Sequence, residues 1–279
     1  MSEIRIRTPL SSEISGIAKM QFRSMRQKEY VNYTGLELSI YAMELPQIIS
    51  MWSERMVYTE FCDRNYGSLI LVAVEDNPLP GKPDIVRGVA FTSVLDGWLY
   101  IRSLYVEPEM TGRKIGSALM TASILSQMQR FYLVGLRLEV FTGNLPAVGL
   151  YGSFGMTDKP FEYPEEFGGT AKHAVPPRFR ISSMENRISP DFMEIMTRRI
   201  QPPVSEMLPE SCREFIASGN FEKIREAVAA KHYIPSWFNE HILKPRPERD
   251  ENRTEFDDWC DFQDWIEAME TTDEPDGKN

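Results

Sequence analysis

The chain has 279 residues, 42% of them hydrophobic and 26% charged, with a formal net charge of −10. That length accommodates one large domain, or one domain and an extension, and the apolar fraction belongs to a globular chain rather than a disordered one. No run of about 18 apolar residues occurs, which excludes a transmembrane helix, and the opening MSEIRIRTPL lacks the apolar stretch of a secretory signal.

Three cysteines (Cys62, Cys212, Cys260) are odd in number and widely spaced, with no histidines at ligand spacing beside them. This suits a reducing, cytoplasmic setting and argues against a disulfide framework or a structural zinc site. The charge is unevenly spread. Residues 246–279 hold 4 basic and 13 acidic side chains, which leaves 27 against 28 for the rest of the chain. The body is therefore nearly neutral and does not repel a phosphate-bearing ligand as a uniformly acidic body would. No basic run interleaved with aromatics appears, so nucleic acid is not an expected partner.

In chain order, Ile4 and Ile6 alternate with Arg5 and Arg7, the pattern of a strand with one buried face. Ser11 or Ser12 can cap a helix whose apolar positions are Ile14, Ile17, Ala18 and Met25. A second helix is expected at about 46–65, after Pro46. Strands follow at Ser68–Glu75, Ile85–Val94 and Trp98–Val106, the last two joined by the hairpin signal Asp96-Gly97. A helix at about 114–131 places Ile115, Ala118, Leu119, Ala122 and Leu125 on its inner side. A strand at Leu133–Thr142, a short helix at about 145–153, a proline- and glycine-rich loop at 158–177 and a strand at Arg178–Ser183 complete the series. This order describes a mixed α/β (α+β) domain over residues 1–184. Helical segments at Asp191–Ile200 and 211–231 belong to an extension over 185–247. In 248–279, Phe256, Trp259, Gln263, Ile266 and Met269 share one helical face before a tail, TTDEPDGKN, whose composition favours disorder.

The chemistry concentrates between Trp98 and Met156. A strand ending Leu104-Tyr105-Val106 passes through Glu-Pro-Glu-Met-Thr into Gly112-Arg113-Lys114-Ile115-Gly116-Ser117-Ala118, which opens a helix. Main-chain N–H groups at a glycine-containing turn on the positive end of a helix form an anion site. Gly116 would let a ligand approach the backbone, Ser117 adds a hydroxyl, and Arg113 and Lys114 add two cations. A pyrophosphate fits such a place, although the turn is neither a Walker loop nor a dinucleotide-binding fingerprint.

Further on, Asn144-Leu-Pro-Ala147-Val-Gly-Leu150-Tyr151-Gly-Ser-Phe-Gly155-Met156 supplies a second motif. Together the two segments resemble the GNAT superfamily of acyl-CoA-dependent N-acetyltransferases. Its pyrophosphate motif, Val-x-Pro, three residues ending in Arg or Gln, then x-x-Gly-x-Gly/Ala, fits Val106 to Gly116 without a gap. Its second signature, Asn-x-x-Ala-x-x-Leu-Tyr-x-x-x-Gly-Phe, is met by Asn144, Ala147, Leu150, Tyr151 and Gly155, with Met156 in place of Phe. Thr111 replaces the usual Arg or Gln, and Lys114 the first glycine. The alternative frame Arg113-x-x-Gly116-x-Ala118 breaks the spacing from Val106. In the gapless frame Lys114 still donates a backbone N–H provided that its φ and ψ stay in an ordinary region, and its side chain could sit beside a CoA phosphate.

The resemblance implies a mostly antiparallel central sheet flanked by helices, with the C-terminal helices as an addition, and acetyl-CoA as cosubstrate. It implies that the strand ending at Val106 splays from strand 133–142. Pantetheine would lie in the gap against Leu104, Tyr105 and Val106, and the amides from Arg113 to Ala118, with Thr111 and Gly112, would hold the diphosphate. A main-chain N–H at or beside Val106 would polarise the thioester carbonyl. Tyr151 would protonate the departing thiolate, and Asn144 would orient backbone or cofactor. Many relatives place a glutamate at the position occupied here by Tyr100. Asp96, Glu139 and His173 are the remaining candidates for a base; a neutral amine or a water relay would need none.

The acceptor, an amine, is expected between the N-terminal helices and loop 158–177, near Tyr30, Tyr33, Tyr41, Trp52, Phe161, Glu162, Tyr163, Glu165 and Glu166. Those aromatic and acidic groups suit a small cationic amine, with a peptide amine as an alternative. The Trp259, Ile266 and Met269 stripe must be covered by the chain's own body or by a partner, a protein or a second copy. An alternative to the enzyme is a non-catalytic acyl-CoA-binding module that uses 190–270 for partner contact.

Overall fold

The computed structural model describes residues 3–25, 44–77, 79, 81–95, 97–159 and 181–230. They fall in one compact unit, Met1–Pro235, while Ser236–Asn279 form a second unit outside the described residues. The first strand, β1 (Ile4–Arg7), is followed by a single 3₁₀ turn, Ser11–Glu13, and by α1 (Ile14–Met25). The serines expected to cap α1 lie inside that turn, and Glu13 performs the capping instead. Its carboxylate accepts the N–H of Leu10 at 2.7 Å and two bonds from Arg7 at 2.9 and 2.7 Å. An ionised acceptor with its own cation satisfies the end more strongly than a hydroxyl.

Next come α2 (Leu45–Tyr66), β2 (Leu69–Glu75), β3 (Ile85–Leu95) and β4 (Trp98–Val106). Gly67 ends α2 in the left-handed region, where a side chain would meet Phe131 and Val94. Then follow α3 (Ile115–Met128), β5 (Gly135–Phe141), α4 (Leu145–Gly152), β6 (Thr157–Lys159) and β7 (Ile181–Arg187). The strand expected at 178–183 runs on to Arg187, its first three residues lying outside the described ones, and β6 occupies residues assigned to loop. β6 gains its bonds only from β7, a pairing between residues far apart in sequence that leaves no local signal. The strands make one sheet in the order β1-β2-β3-β4-β5-β7-β6, antiparallel except between β4 and β5.

Alternation along the strands divides the core in two. One face of the sheet sends Leu71, Ala73, Ala90, Leu99, Leu136, Leu138 and Met184 towards α3. The other sends Ile70, Val72, Val74 and Val89 towards Ile17 and Met20 of α1 and Ile48 and Trp52 of α2. The first face continues beyond α3. Helices α5 (Pro190–Arg199), α6 (Val204–Met207), α7 (Glu210–Ala217) and α8 (Asn220–Ala229) bury Phe192, Met193, Met196, Met207, Cys212 and Phe221 in the same cluster. For this reason α3 is buried around most of its circumference, with Met120, Ile124 and Met128 as enclosed as the side expected to face inward. The single helix expected at 211–231 is two helices, broken by Gly219 at φ +75°.

Candidate functional site

The parallel pairing of β4 with β5 is short. It joins Trp98, Leu99 and Tyr100 to Gly135, Leu136 and Arg137, and beyond these the strands part. The cause lies in β4 itself. Phe91 of β3 stands opposite Ser103, but Thr92 stands opposite Ile101, so Arg102 is an extra residue in β4. A bulge bends and twists its strand, and this one follows the last β5 partner by two residues. The main chain of residues 101–106 therefore pairs with β3 on one side and leaves an edge open towards β5. The gap expected on the basis of family resemblance is present.

The bulge also decides which side chains face the gap. Leu99 and Ile101 join the α3 side, as do Leu104 and Val106, although their positions differ in parity. On the opposite side stand Tyr100 and Ser103, with Tyr105 packed beside α1 and α2. On β5, Leu138 and Val140 face α3, whereas Arg137, Glu139 and Phe141 alternate to the other side.

The open edge leads to the N-terminus of α3. Gly112 has φ +83°, and Lys114, the N-cap of α3, has φ +65°, the one non-glycine positive φ among the described residues. The proviso set for Lys114 is not met: it takes up the left-handed turn where the family pattern has glycine, at a cost of about 1–2 kcal/mol. Helix α3 begins its own ladder when Ala118 N–H donates to Lys114 O at 2.9 Å, and Arg113 N–H donates to Met110 O at 3.3 Å. The amides expected at both ends of the anion cradle are thus directed to the chain itself. Those of Ile115, Gly116 and Ser117 precede the first ladder bond and stand at the positive end of the helix. Ser117 is 4% exposed and its Oγ has no hydrogen-bond partner among the described residues. Orphan amides and an orphan buried hydroxyl fit an anion. Gly116 contributes differently from the expectation: a Cβ there would meet Leu150 at 3.2 Å and Val106 at 3.7 Å, so its bareness lets α4 close on α3.

The start of this loop is tied to α1. Ser24 Oγ donates to Val106 O at 2.7 Å, and Arg23 grips Glu107, with Nε to Oε1 at 2.7 Å and a second, shorter contact between NH2 and Oε2. Glu107 is 2% exposed, and its carboxylate raises the pKa of Arg23 through the hydrogen bond. Thr111 N–H donates to Pro108 O at 3.1 Å, within the turn.

The second motif forms α4. Asn144 caps it, its Oδ1 accepting Ala147 N–H at 3.3 Å. Tyr151 is buried in the cluster on the α3 side, one residue beyond the Leu150 that packs at Gly116. Gly155 has φ +73°, and a side chain there would strike Asn186 and Ile195, which accounts for glycine at this position. Met156 is buried where the pattern has Phe.

Of the base candidates, Glu139 is exposed on the β5 arm, opposite Ser183 of β7. Asp96 and His173 lie outside the described residues, as do Tyr30, Tyr33, Tyr41, Phe161, Glu162, Tyr163, Glu165 and Glu166, and the stripe containing Trp259, Ile266 and Met269. Tyr100 accepts a bond from Arg137 NH1 at 3.4 Å, which is the main cause of the raised pKa of that guanidinium. Arg137 also lies 3.8 Å from the ring centroid of Trp98.

One residue was not anticipated. Arg55 of α2 reaches β4 on the face away from α3, NH1 donating to Ser103 Oγ at 3.1 Å. Its guanidinium lies 4.9 Å from the ring centroid of Trp52 and 5.1 Å from that of Phe91. Burial lowers its pKa from the usual arginine value. No local signal marks it, because the bond spans 48 residues.

Residues 38–156 match the family model described as acetyltransferase (GNAT) family. The match covers less than half of the chain, and the parted strands and the helix N-terminus lie within the matched segment. Among solved structures, it is similar to the PaiA N-acetyltransferase from Thermoplasma acidophilum in complex with coenzyme A, at 16% identity and TM-score 0.46, over 66% of this chain and 99% of that one. It is also similar to YncA from Salmonella typhimurium with acetyl-CoA, at 15% identity and TM-score 0.45, over 67% and 95% of the two chains. No curated protein matches. No helix among the described residues is long and apolar enough to cross a membrane.

Proposed function

We propose that the protein is a cytoplasmic N-acetyltransferase that moves an acetyl group from acetyl-CoA to a primary amine of a small molecule or peptide. The observation that carries this reading is the parting of β4 and β5 beside the free amides of α3. Pantetheine lies along the open edge of residues 104–106, and the diphosphate meets the N–H groups of Ile115, Gly116 and Ser117. Arg113 and Lys114 add positive charge. A main-chain N–H of the 104–106 segment polarises the thioester carbonyl.

The amine attacks from the opposite face of the sheet, uncharged, because an ammonium has no lone pair. The C–N bond forms and the C–S bond breaks. The nitrogen loses one proton to water as the amide forms, and the departing thiolate gains one from the Tyr151 hydroxyl. Tyrosine then recovers a proton from solvent. When the amine arrives as ammonium, a further proton must leave first. Glu139 is the described acidic side chain on the acceptor face of the β5 arm and supports that role directly or through water; Asp96 and His173 remain alternatives.

Turnover of acetyl-CoA with a panel of amines tests the reading, with wild type compared with Tyr151→Phe. We expect kcat to fall about a hundred-fold in the variant while coenzyme A affinity is retained. Undiminished turnover removes the acid role. Coenzyme A binding with no turnover on any amine contradicts the enzyme and favours a binding module.

A further inference from the structure

We infer that the acceptor is an amino-acid-like molecule, with a carboxylate close to its amine, and that Arg55 receives the carboxylate. This rests on the acetyl-transfer reading above and identifies the substrate class for the same site.

The argument begins with how this protein treats its arginines. Arg7 meets Glu13 and Asp84, Arg23 meets Glu107, Arg87 meets Glu75 and Arg137 meets Glu185. Half-buried Arg55 makes no ion pair among the described residues; Glu54 and Tyr105 act on it only at a distance, and burial still lowers its pKa. A desolvated cation without a counterion is costly. The two rings that hold it and the neutral Ser103 hydroxyl fix its position and do not cancel its charge. Trp52 is itself locked, its Nε1 donating to Gln21 Oε1 at 2.6 Å in the core. A guanidinium carries five N–H donors, of which this one spends a single hydrogen bond on the described residues. A pair of parallel donors remains for a carboxylate, the anion whose planar geometry they match.

Location makes this a substrate group. Ser103 precedes Leu104, the first residue of the segment assigned to the thioester, and projects to the face from which the amine attacks. Across the gap, Glu139 stands on the same face of β5. A cation on one arm and an anion on the other match the two ends of a zwitterion: the carboxylate at Arg55 and the amine towards Glu139, beside the carbonyl. An acceptor bearing only positive charge would be repelled by Arg55.

The test uses the full chain, acetyl-CoA, and the protein L-amino acids, each paired with the amine left by its decarboxylation. We expect kcat/KM for the best amino acid to exceed that of its paired amine by about ten- to a hundred-fold. In Arg55→Met that ratio should collapse towards one, chiefly through a raised KM for the amino acid. Arg55→Lys, which restores charge without the fork, should recover part of it. Thermal melts accompany each variant to separate selectivity from loss of fold. A wild type that prefers the decarboxylated amines overturns the inference and leaves acetyl transfer standing. So does an equal loss on both members of each pair in Arg55→Met, or a preference for peptides over both. Failure to acetylate any amine removes both readings together.

Discussion

The two faces of the sheet are built to different ends. On one, α3 and the four helices that follow β7 enclose a continuous apolar cluster, from Leu71 and Leu99 through Ile124 to Phe192 and Phe221. On the other, α1 and α2 cover β2 and β3, and among the described residues the apolar cluster reaches no further than Tyr105 of β4. Past that point the same face carries Tyr100, Arg137, Glu139 and Glu185. The sealed face supplies stability, and the polar half of the other leaves charged groups beside the parted strands. The division implies that substitutions on the sealed face act on folding, and that those near the gap act on binding and chemistry.

Phe192→Ala is the strongest challenge to the sealed face. The ring is fully buried in α5, and its removal should cost about 3–5 kcal/mol in urea unfolding. A cost below about 1 kcal/mol would mean that α5 is an ornament and not part of the core. Lys114→Gly probes the boundary between the two regions. Removing a left-handed lysine should raise stability by about 1 kcal/mol in the same assay, while weakening coenzyme A binding through the lost charge. An unchanged stability would contradict the strain described at that turn.

The smallest effect is expected far from the gap, at the edge of the sheet. Arg7, chiefly through its hydrogen bond, and Arg5 hold the Asp84 carboxyl below its usual pKa. A carboxyl depressed in the folded state contributes stability above its unfolded pKa, near 4, and loses it as pH falls through the folded value. Asp84→Asn should therefore shave a few tenths of a kcal/mol from stability at neutral pH and less at pH 2. A loss of equal size at both pH values would show that the side chain acts through its shape alone.

Much of this was legible in the sequence. Alternation marked β1, apolar runs bounded by turn residues marked β2 to β5, and the two glycine-containing motifs marked the turn into α3 and the helix α4. Even the bulge left a trace: apolar residues fall at 99 and 101 and then at 104 and 106, a break in the period of two that a regular strand does not show. What could not be read depended on contacts between distant segments. Arg23 meets Glu107 across 84 residues, Arg55 meets Ser103 across 48, and β6 exists because β7 pairs with it. The backbone of Lys114 illustrates the opposite failure. Its residue type argues for an ordinary φ, but the chain must turn sharply between the 3₁₀ turn ending at Met110 and α3, and the turn prevails over local preference.

The most direct test is a crystal structure of the full chain grown or soaked with coenzyme A. The account predicts pantetheine between residues 104–106 and the β5 arm, with diphosphate oxygens about 3 Å from the amides of Ile115, Gly116 and Ser117. Coenzyme A seated elsewhere, or β4 and β5 zipped together beyond Tyr100 and Arg137, would contradict it.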